Sequence, residues 1–405
     1  MGCAPAGESH EGTLRPALTT KYPCRQTAGP FVKRNECVCA KSFTFRKEPA
    51  VEKKMTYVGL DVHDETIVAV WQKRGFRERT ITVANDGEGL EGLLKAVGAG
   101  DVSAAYEASG AGFSLYDKLK KKGWDVIVVP PTAIPKSAKE RKRKTDVEDA
   151  RSLMKMLMAH GECDAKMPSV WVPSVKVRQD RELVRHRLRL AEDRARIKTQ
   201  IKCLLKIHDV VSPGKADWSG RHVAWLRGLA GEEGRAWTFR RVLGSHLALL
   251  EVYGAEIADL DKALMKLSEE EAYAEQTEAV TKIRGVGLIT ALTFLLELGD
   301  VKRFKNRRAL ASYLGLTPAS YESGKADDRK GHITKQGSGR LRKVLNQAAV
   351  AHVRTNDRPV WEWYENLKER RKGKIALVAV MRKLATLMWH RACDVVTETG
   401  SDGRP

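Results

Sequence analysis

The sequence predicts an α/β domain built on a mixed sheet, followed by a coiled-coil-like helical region and a mainly helical C-terminal part. Three observations carry this expectation. Short apolar runs of strand length crowd the stretch from Thr56 to Val129, whereas helical spacing of apolar residues dominates from Asp146 onward. Four acidic residues, Asp61, Glu107, Asp146 and Asp149, fall in strand, strand, helix order within a chain of formal net charge +21.

The elements follow in order. TYVGLDVH is an apolar strand ending in acid, and ETIVAVWQ, after a polar His63-Asp64 turn, is its hairpin partner. RERTITVAN supplies a third alternating strand. A helical stretch from Gly89 to Val97, the short strand VSAAYEAS, a helix from Phe113 to Lys122 and the buried-type strand WDVIVVP complete the region. Three strands in succession, then alternating helix and strand, describe a mixed sheet covered by helices. KTDVEDARSLMKMLMAHG then places Ala150, Leu153, Met154, Leu157 and Met158 on one helical stripe. Asp146 and Asp149 are three apart and share a helix face.

A long charged helix is expected from Val177 to His208, with Leu183, Leu190, Ile197, Ile201 and Leu204 at coiled-coil spacings. A second, from Arg241 to Leu267, carries Leu247, Leu250, Ile257, Leu260 and Leu264. The two either pair within the chain or join two chains, and the segment between them reads as glycine-rich connection. VTKIRGVGLITALTFLLELGDV turns at Gly285-Val286-Gly287. It is either a helix-hairpin-helix, with Gly285 and Gly287 receiving a phosphate, or a plain helical hairpin. Further on, Gly315 and Pro318 end a helix, and a glycine-punctuated loop with Lys335, Arg340, Arg342 and Lys343 around it leads into a helix from Leu341 to Val353. Such a loop suits contact with a nucleic-acid backbone, or its glycines are simple turn residues. Two last helices flank the basic turn KERRKGK; Trp361, Trp363 and Tyr364 either stack on bases or, as clustered helical aromatics more often do, join the core, which is the expectation.

The first 54 residues read differently. They hold four of the seven cysteines and have neither periodic apolar spacing nor the apolar stretch of a signal peptide. Residues 1–54 are therefore expected to be a disordered leader or an extension upstream of a start at Met55. A zinc site from Cys24, Cys37 and Cys39 would want closer pairing and a fourth ligand. Cys163, Cys203 and Cys393 are scattered, as in a reducing cytoplasm. The expected organisation is thus 55–165, 175–270 and 278–395, with a disordered tail at 396–405.

The charge balance narrows the partners. With 72 Lys+Arg against 51 Asp+Glu and a pI near 9.7, the chain draws polyanions, and nucleic acid is the first to consider. No apolar run approaches the roughly 20 residues needed to span a bilayer, and mean hydropathy is −0.40. Carboxylates gathered in so basic a chain suggest divalent metal held against a nucleic-acid backbone. Two Mg²⁺ ions, with Mn²⁺ an alternative, clamp the attacking and leaving oxygens of a phosphodiester when held about 4 Å apart by anionic oxygens. The competing reading makes Asp146 a helix cap and Asp149 a complement to the helix dipole. The run PKSAKERKRKT, including Lys142, Arg143 and Lys144, immediately precedes these acids and suits phosphate steering, or is a solvated surface.

From Met55 onward the chain resembles the DEDD-type transposases of the insertion sequence one-ten family, described as bridge-RNA-guided recombinases. The resemblance rests on GLDVH, YEAS, KTDVEDA and LGLTPASYESGKADDRKGHITKQGSGRLR, in that order. It implies a RuvC-like domain of RNase H fold whose metal-binding tetrad is Asp61, Glu107, Asp146 and Asp149. It also implies a C-terminal transposase domain whose catalytic serine maps onto Ser323, with Ser320 and Ser338 close by. Donor and target DNA, a structured non-coding RNA, a homo-oligomer (dimer or tetramer) and a prokaryotic cytoplasm are implied in the same way. A serine hydroxyl needs a base or metal to become a nucleophile at neutral pH; metal held by the acids is the expected activator, with His332 the alternative base. Two other readings stand beside this one: a RuvC-like endonuclease that hydrolyses DNA with water, and a non-catalytic nucleic-acid-binding scaffold.

Overall fold

The computed structural model describes residues 55–110, 112–134, 145–163, 165–214, 216–320, 330–354 and 358–399. Its first part is a five-stranded mixed sheet of order β3-β2-β1-β4-β5. The strands are β1 (Thr56–Val62), β2 (Thr66–Lys73), β3 (Arg79–Ala84), β4 (Val102–Glu107) and β5 (Asp125–Val129). β1, β2 and β3 are antiparallel neighbours, while β4 runs parallel to β1 and β5 parallel to β4. The parallel pairs follow from their helical connections, α1 (Gly87–Val97) and α2 (Ser114–Lys121), since parallel strands need a crossover.

Alternation along β1 assigns its two faces. Val58 and Leu60 pack with Leu90 and Leu93 of α1 and with Leu115 and Leu119 of α2. Tyr57, Gly59 and Asp61 point to the other face. There α3 (Asp146–Cys163) packs Ala150, Leu153, Met154 and Leu157 against Tyr57, Val70, Ala105 and Val129. Gly59 sets how closely it does so. A β-carbon at Gly59 would lie 1.9 Å from the Ala150 carbonyl oxygen and 2.6 Å from the Met154 nitrogen, so only glycine lets the helix backbone rest on the strand.

The helical part begins with α4 (Val175–Ile207), joined through α5 (Gly220–Gly231) to α6 (Trp237–Ser268). α4 and α6 have 33 and 32 residues, each about 50 Å long at 1.5 Å per residue. They pair within the chain and run antiparallel: Ile197, Ile201 and Leu205 meet Phe239, Leu243 and Leu247 at one end, and Val184 meets Leu264 and Leu267 at the other. Arg187 and Asp261 bridge the pair at 2.7 Å. The segment read as connection instead holds α5. Ser219 caps it by accepting from the His222 amide, and its glycines Gly220, Gly228 and Gly231 face open space, so they dilute the apolar pattern without breaking the helix.

The remaining elements are α7 (Ala274–Thr281), α8 (Leu288–Leu298), α9 (Arg307–Tyr313), the hairpin β6 (Pro318–Ser320) and β7 (Lys330–Ile333), α10 (Gly339–Arg354), α11 (Arg358–Arg370) and α12 (Gly373–Thr399). α8 is the hub: every residue from Ala291 to Leu298 is buried, among side chains of α7, α10 and α12. Its Glu297 carboxylate receives a two-pronged bond from Arg185 at 2.7 and 2.9 Å, and Arg181 donates to the Leu296 carbonyl, locking α4 onto this core. Arg178 reaches the other way and grips both oxygens of Asp117 on α2. Among the described residues, no helix is long and apolar enough to cross a membrane.

Candidate metal centre and nucleic-acid interface

Of the four acids, Asp61 and Asp146 come within ligand distance of each other, at the edge where β1 and β4 end. Asp61 is the next-to-last residue of β1 and Glu107 the last of β4. The parallel register pairs Leu60 with Tyr106, which puts Asp61 and Glu107 on neighbouring strands at the same level. Each follows by two a residue on the α3 side, Gly59 and Ala105, so both face α3. α3 then brings its first turn to this edge, because Gly59 admits the Ala150 backbone just one turn further on.

Asp61 and Asp146 approach each other through a residue the sequence reading had placed in a turn. His63 Nε2 lies 3.1 Å from Asp61 Oδ2 and 3.5 Å from Asp146 Oδ1. Ligand atoms of Asp61, His63 and Asp146 all fall within 4.8 Å of one another. The missed signal was a period of two: His63 continues the face of Tyr57, Gly59 and Asp61. Its backbone is fixed by a hydrogen bond from its amide N–H to the Thr66 carbonyl and by Asn85, whose side chain donates to the His63 carbonyl at 2.7 Å.

Burial pushes the Asp61 carboxyl above its ordinary range; Asp146 and Asp149 push it the same way, and His63 opposes them. Asp149 therefore stands within electrostatic reach of Asp61, while Glu107 neighbours it through the sheet. Glu148 points elsewhere and pairs with Arg151, which also holds Glu78 at 2.8 Å. A half-buried carboxylate crowded by others is a poor arrangement for a bare protein and a good one for a cation. The donors are carboxylate oxygens, which hard divalent ions favour, and one imidazole suited to orienting a carboxylate ligand.

Thr145, rather than Asp146, caps α3: its hydroxyl accepts from the Glu148 amide at 3.3 Å and its carbonyl from the Glu148 and Asp149 amides. This frees Asp146 to face His63. Thr145→Ala is expected to cost about 1 kcal/mol of stability, measurable as a lower denaturation midpoint, with both acids still in place.

In the helical part, the predicted contacts divide. Lys142, Arg143, Lys144 and Ser323 lie outside the described residues. Gly285 has φ +84°, and a β-carbon there would lie 2.5 Å from the His352 nitrogen of α10; packing between helices, not phosphate approach, requires this glycine. Gly287, the N-cap of α8, is exposed with open space around it. Gly315 and Gly337, both at positive φ, allow the loop after β7 to lie on the end of α9: a β-carbon would meet the Gln336 carbonyl at 2.0 Å from Gly315 and the Tyr313 carbonyl at 2.1 Å from Gly337. Arg342 donates to the Leu314 and Gly337 carbonyls, so it braces this loop. Lys343 pairs with Glu192 of α4 at 2.8 Å. Lys335 and Arg340 are exposed. Ser338 is engaged as a cap, accepting from the Leu341 amide.

A mixed sheet with helices around it, an acid cluster at its edge and a mainly helical second part is consistent with an RNase H-like transposase. Residues 58–208 match a family model for DEDD transposases of the IS110 type, and residues 277–365 match the model described as Transposase IS116/IS110/IS902 family. The chain designated y4qE of Sinorhizobium fredii is 30% identical over 309 residues, covering 70% of this chain and 73% of the relative. The transposase for insertion sequence element IS1533 of Leptospira borgpetersenii is 25% identical over 353 residues, 84% of this chain and 96% of the relative. The transposase for insertion sequence element IS1111A of Coxiella burnetii is 27% identical over 287 residues, 70% and 75% of the two chains. The chain belongs to the IS110 family of DEDD transposases, enzymes that cleave and rejoin DNA.

Proposed function

We propose that this transposase cuts and rejoins DNA by transesterification, with Asp61, Glu107, Asp146 and Asp149 holding divalent metal and Ser323 acting as nucleophile. The observation that carries the reading is the meeting of Asp61, His63 and Asp146 at the edge of the sheet, with Asp149 within reach. Mg²⁺ or Mn²⁺ bound there supplies Lewis-acid polarisation of a phosphate oxygen and eases loss of a hydroxyl proton. His63, bonded to Asp61, orients that carboxylate.

Ser323 Oγ attacks the phosphorus of a phosphodiester; the bond to one bridging oxygen breaks, and the departing DNA hydroxyl takes the proton. A phosphoserine ester remains, and a DNA hydroxyl from the partner duplex reverses the step. One ester replaces another, so strand exchange needs no external energy. Ser323 falls between β6 and β7 in the sequence, and the loop after β7 rests on the end of α9. Ser338, the neighbouring alternative, already serves α10 as a cap. Phosphate contacts are assigned to Lys142, Arg143, Lys144, Lys335, Arg340 and the α8 amides beyond Gly287. Guidance by a structured non-coding RNA and assembly as a multimer complete the proposal, and both rest on the family resemblance.

The test is an adduct assay. Purified protein is incubated with element-end DNA, the transcribed end RNA and Mg²⁺, then run on a denaturing gel. Wild type is expected to give a detergent-stable protein–DNA adduct that Ser323→Ala abolishes and omission of the RNA reduces. Cleavage that persists undiminished in Ser323→Ala would instead favour hydrolysis by water and remove the serine from the mechanism.

A further inference from the structure

Side chains of α9, α10, α11 and α12 line a cavity of about 780 Å³, on helices that carry neither the acid cluster nor Ser323. Its volume falls within the range of roughly 300–1,000 Å³ usual for ligand sites. Arg307 and Arg308 enter from α9, and Arg382 and Lys383 from α12; among the described residues no carboxylate lines it. Four fixed positive charges gathered without an acid repel one another, and an anion relieves that repulsion.

The aromatic wall is equally telling. The sequence reading put Trp361, Trp363 and Tyr364 of α11 in the core, yet only Tyr364 packs there. Trp361 is 48% exposed and Trp363 36% exposed, and no described α11 side chain is fully buried. Trp363 lines the cavity, and the Lys383 ammonium sits 4.9 Å from its ring centroid. Val360 and Leu387 extend the apolar side. A tryptophan face beside fixed cations is the combination on which unpaired bases stack while their phosphates are neutralised.

We propose that this cavity binds an unpaired nucleotide of a single-stranded polynucleotide, the base against Trp363 and the flanking phosphates on Arg307, Arg308 and Arg382. The site is independent of the serine chemistry and rests only on the chain's handling nucleic acid. A displaced DNA strand and an RNA loop offer the same chemistry, so the probes must separate them.

Fluorescence anisotropy with the full chain does so, using labelled oligo-dT and oligo-U of about 12 nucleotides, an abasic strand of equal length and a duplex. Trp363→Ala is expected to weaken binding of the base-bearing strands about tenfold and to leave the abasic strand and duplex unchanged, whereas Trp363→Phe stays near wild type. Arg382→Gln is expected to weaken every single strand, abasic included, and to flatten the salt dependence by about one unit of slope. Tighter binding of oligo-U assigns the site to RNA, tighter binding of oligo-dT to a DNA strand. Equal losses on abasic and base-bearing strands overturn the stacking role. Unchanged binding by Trp363→Ala and Arg382→Gln, with folding verified by circular dichroism, overturns the proposal and leaves an acidic peptide as the occupant.

Discussion

Gly59→Ala is expected to lower stability by about 3 kcal/mol or more and to cut DNA cleavage about a hundredfold, although it adds one methyl group and changes no charge. The added carbon would sit 1.9 Å from the Ala150 carbonyl oxygen and 2.6 Å from the Met154 nitrogen, both backbone atoms that no rotamer change can move aside. Carbon contacts are comfortable near 3.5–4.0 Å, so α3 must retreat by roughly 1.5 Å. That retreat loosens Leu153, Met154 and Leu157 from the sheet, beyond the 1–3 kcal/mol of ordinary overpacking. It also draws Asp146 away from Asp61 and His63, and about 1 Å of misplacement at reacting groups costs about a hundredfold. Gly92→Ala is the control: it lies inside α1 with nothing within 4 Å of the added carbon, and should gain about 0.5–1 kcal/mol. Denaturant unfolding and cleavage of both variants decide the matter. A Gly59→Ala protein as stable and active as wild type would show that α3 is not anchored as described.

Periodicity alone made the sheet legible. All five strands lie where alternating or continuous apolar runs put them, because each run is bounded by polar turns and each strand has only one stable register against a buried face. The acids were legible for the same reason, since Asp61 and Glu107 interrupt apolar strands at the same end. His63 was not, because a histidine two residues past a strand acid looks like part of the turn unless the strand's facing is followed one step further. Glycines misled in two ways. In α5 they lie on an open face and cost little, so a helix hides behind a composition that suggests connection. Gly285 and Gly337 read as turns that could lie near phosphate, yet each is required by a backbone passing close by, a contact between distant segments that no local pattern displays; Gly315, read as ending α9, does so and meets the Gln336 backbone as well. Basic residues carry the same ambiguity. Arg342 and Lys343 are adjacent to Arg340, but one braces carbonyls and the other neutralises Glu192, which only tertiary structure can assign.

Asp61→Asn is expected to act in opposite directions on activity and stability. Loss of one anionic ligand removes several kcal/mol of transition-state charge stabilisation; at about 4 kcal/mol, cleavage falls about a thousandfold. In metal-free protein the same change should raise the melting temperature. Asparagine keeps the volume of the side chain and its bonding to His63 while removing a half-buried negative charge held against Asp146 and Asp149. The sign follows from linkage. A carboxyl raised above its ordinary range binds its proton more tightly in the folded state, so its contribution is full below the unfolded value and is lost as pH rises through the folded one. At neutral pH without metal, wild-type Asp61 is therefore a destabilising charge, and the asparagine variant is free of it. Added Mg²⁺ or Mn²⁺ should then raise the wild-type melting temperature, since a cation that binds only the folded chain stabilises it, and should raise that of Asp61→Asn much less. Thermal melts in chelator and in metal, run beside the cleavage assay, test all three expectations together. Wild-type cleavage and an undiminished metal shift in the variant would mean that Asp61 serves the fold alone and that the catalytic metal is held by other residues.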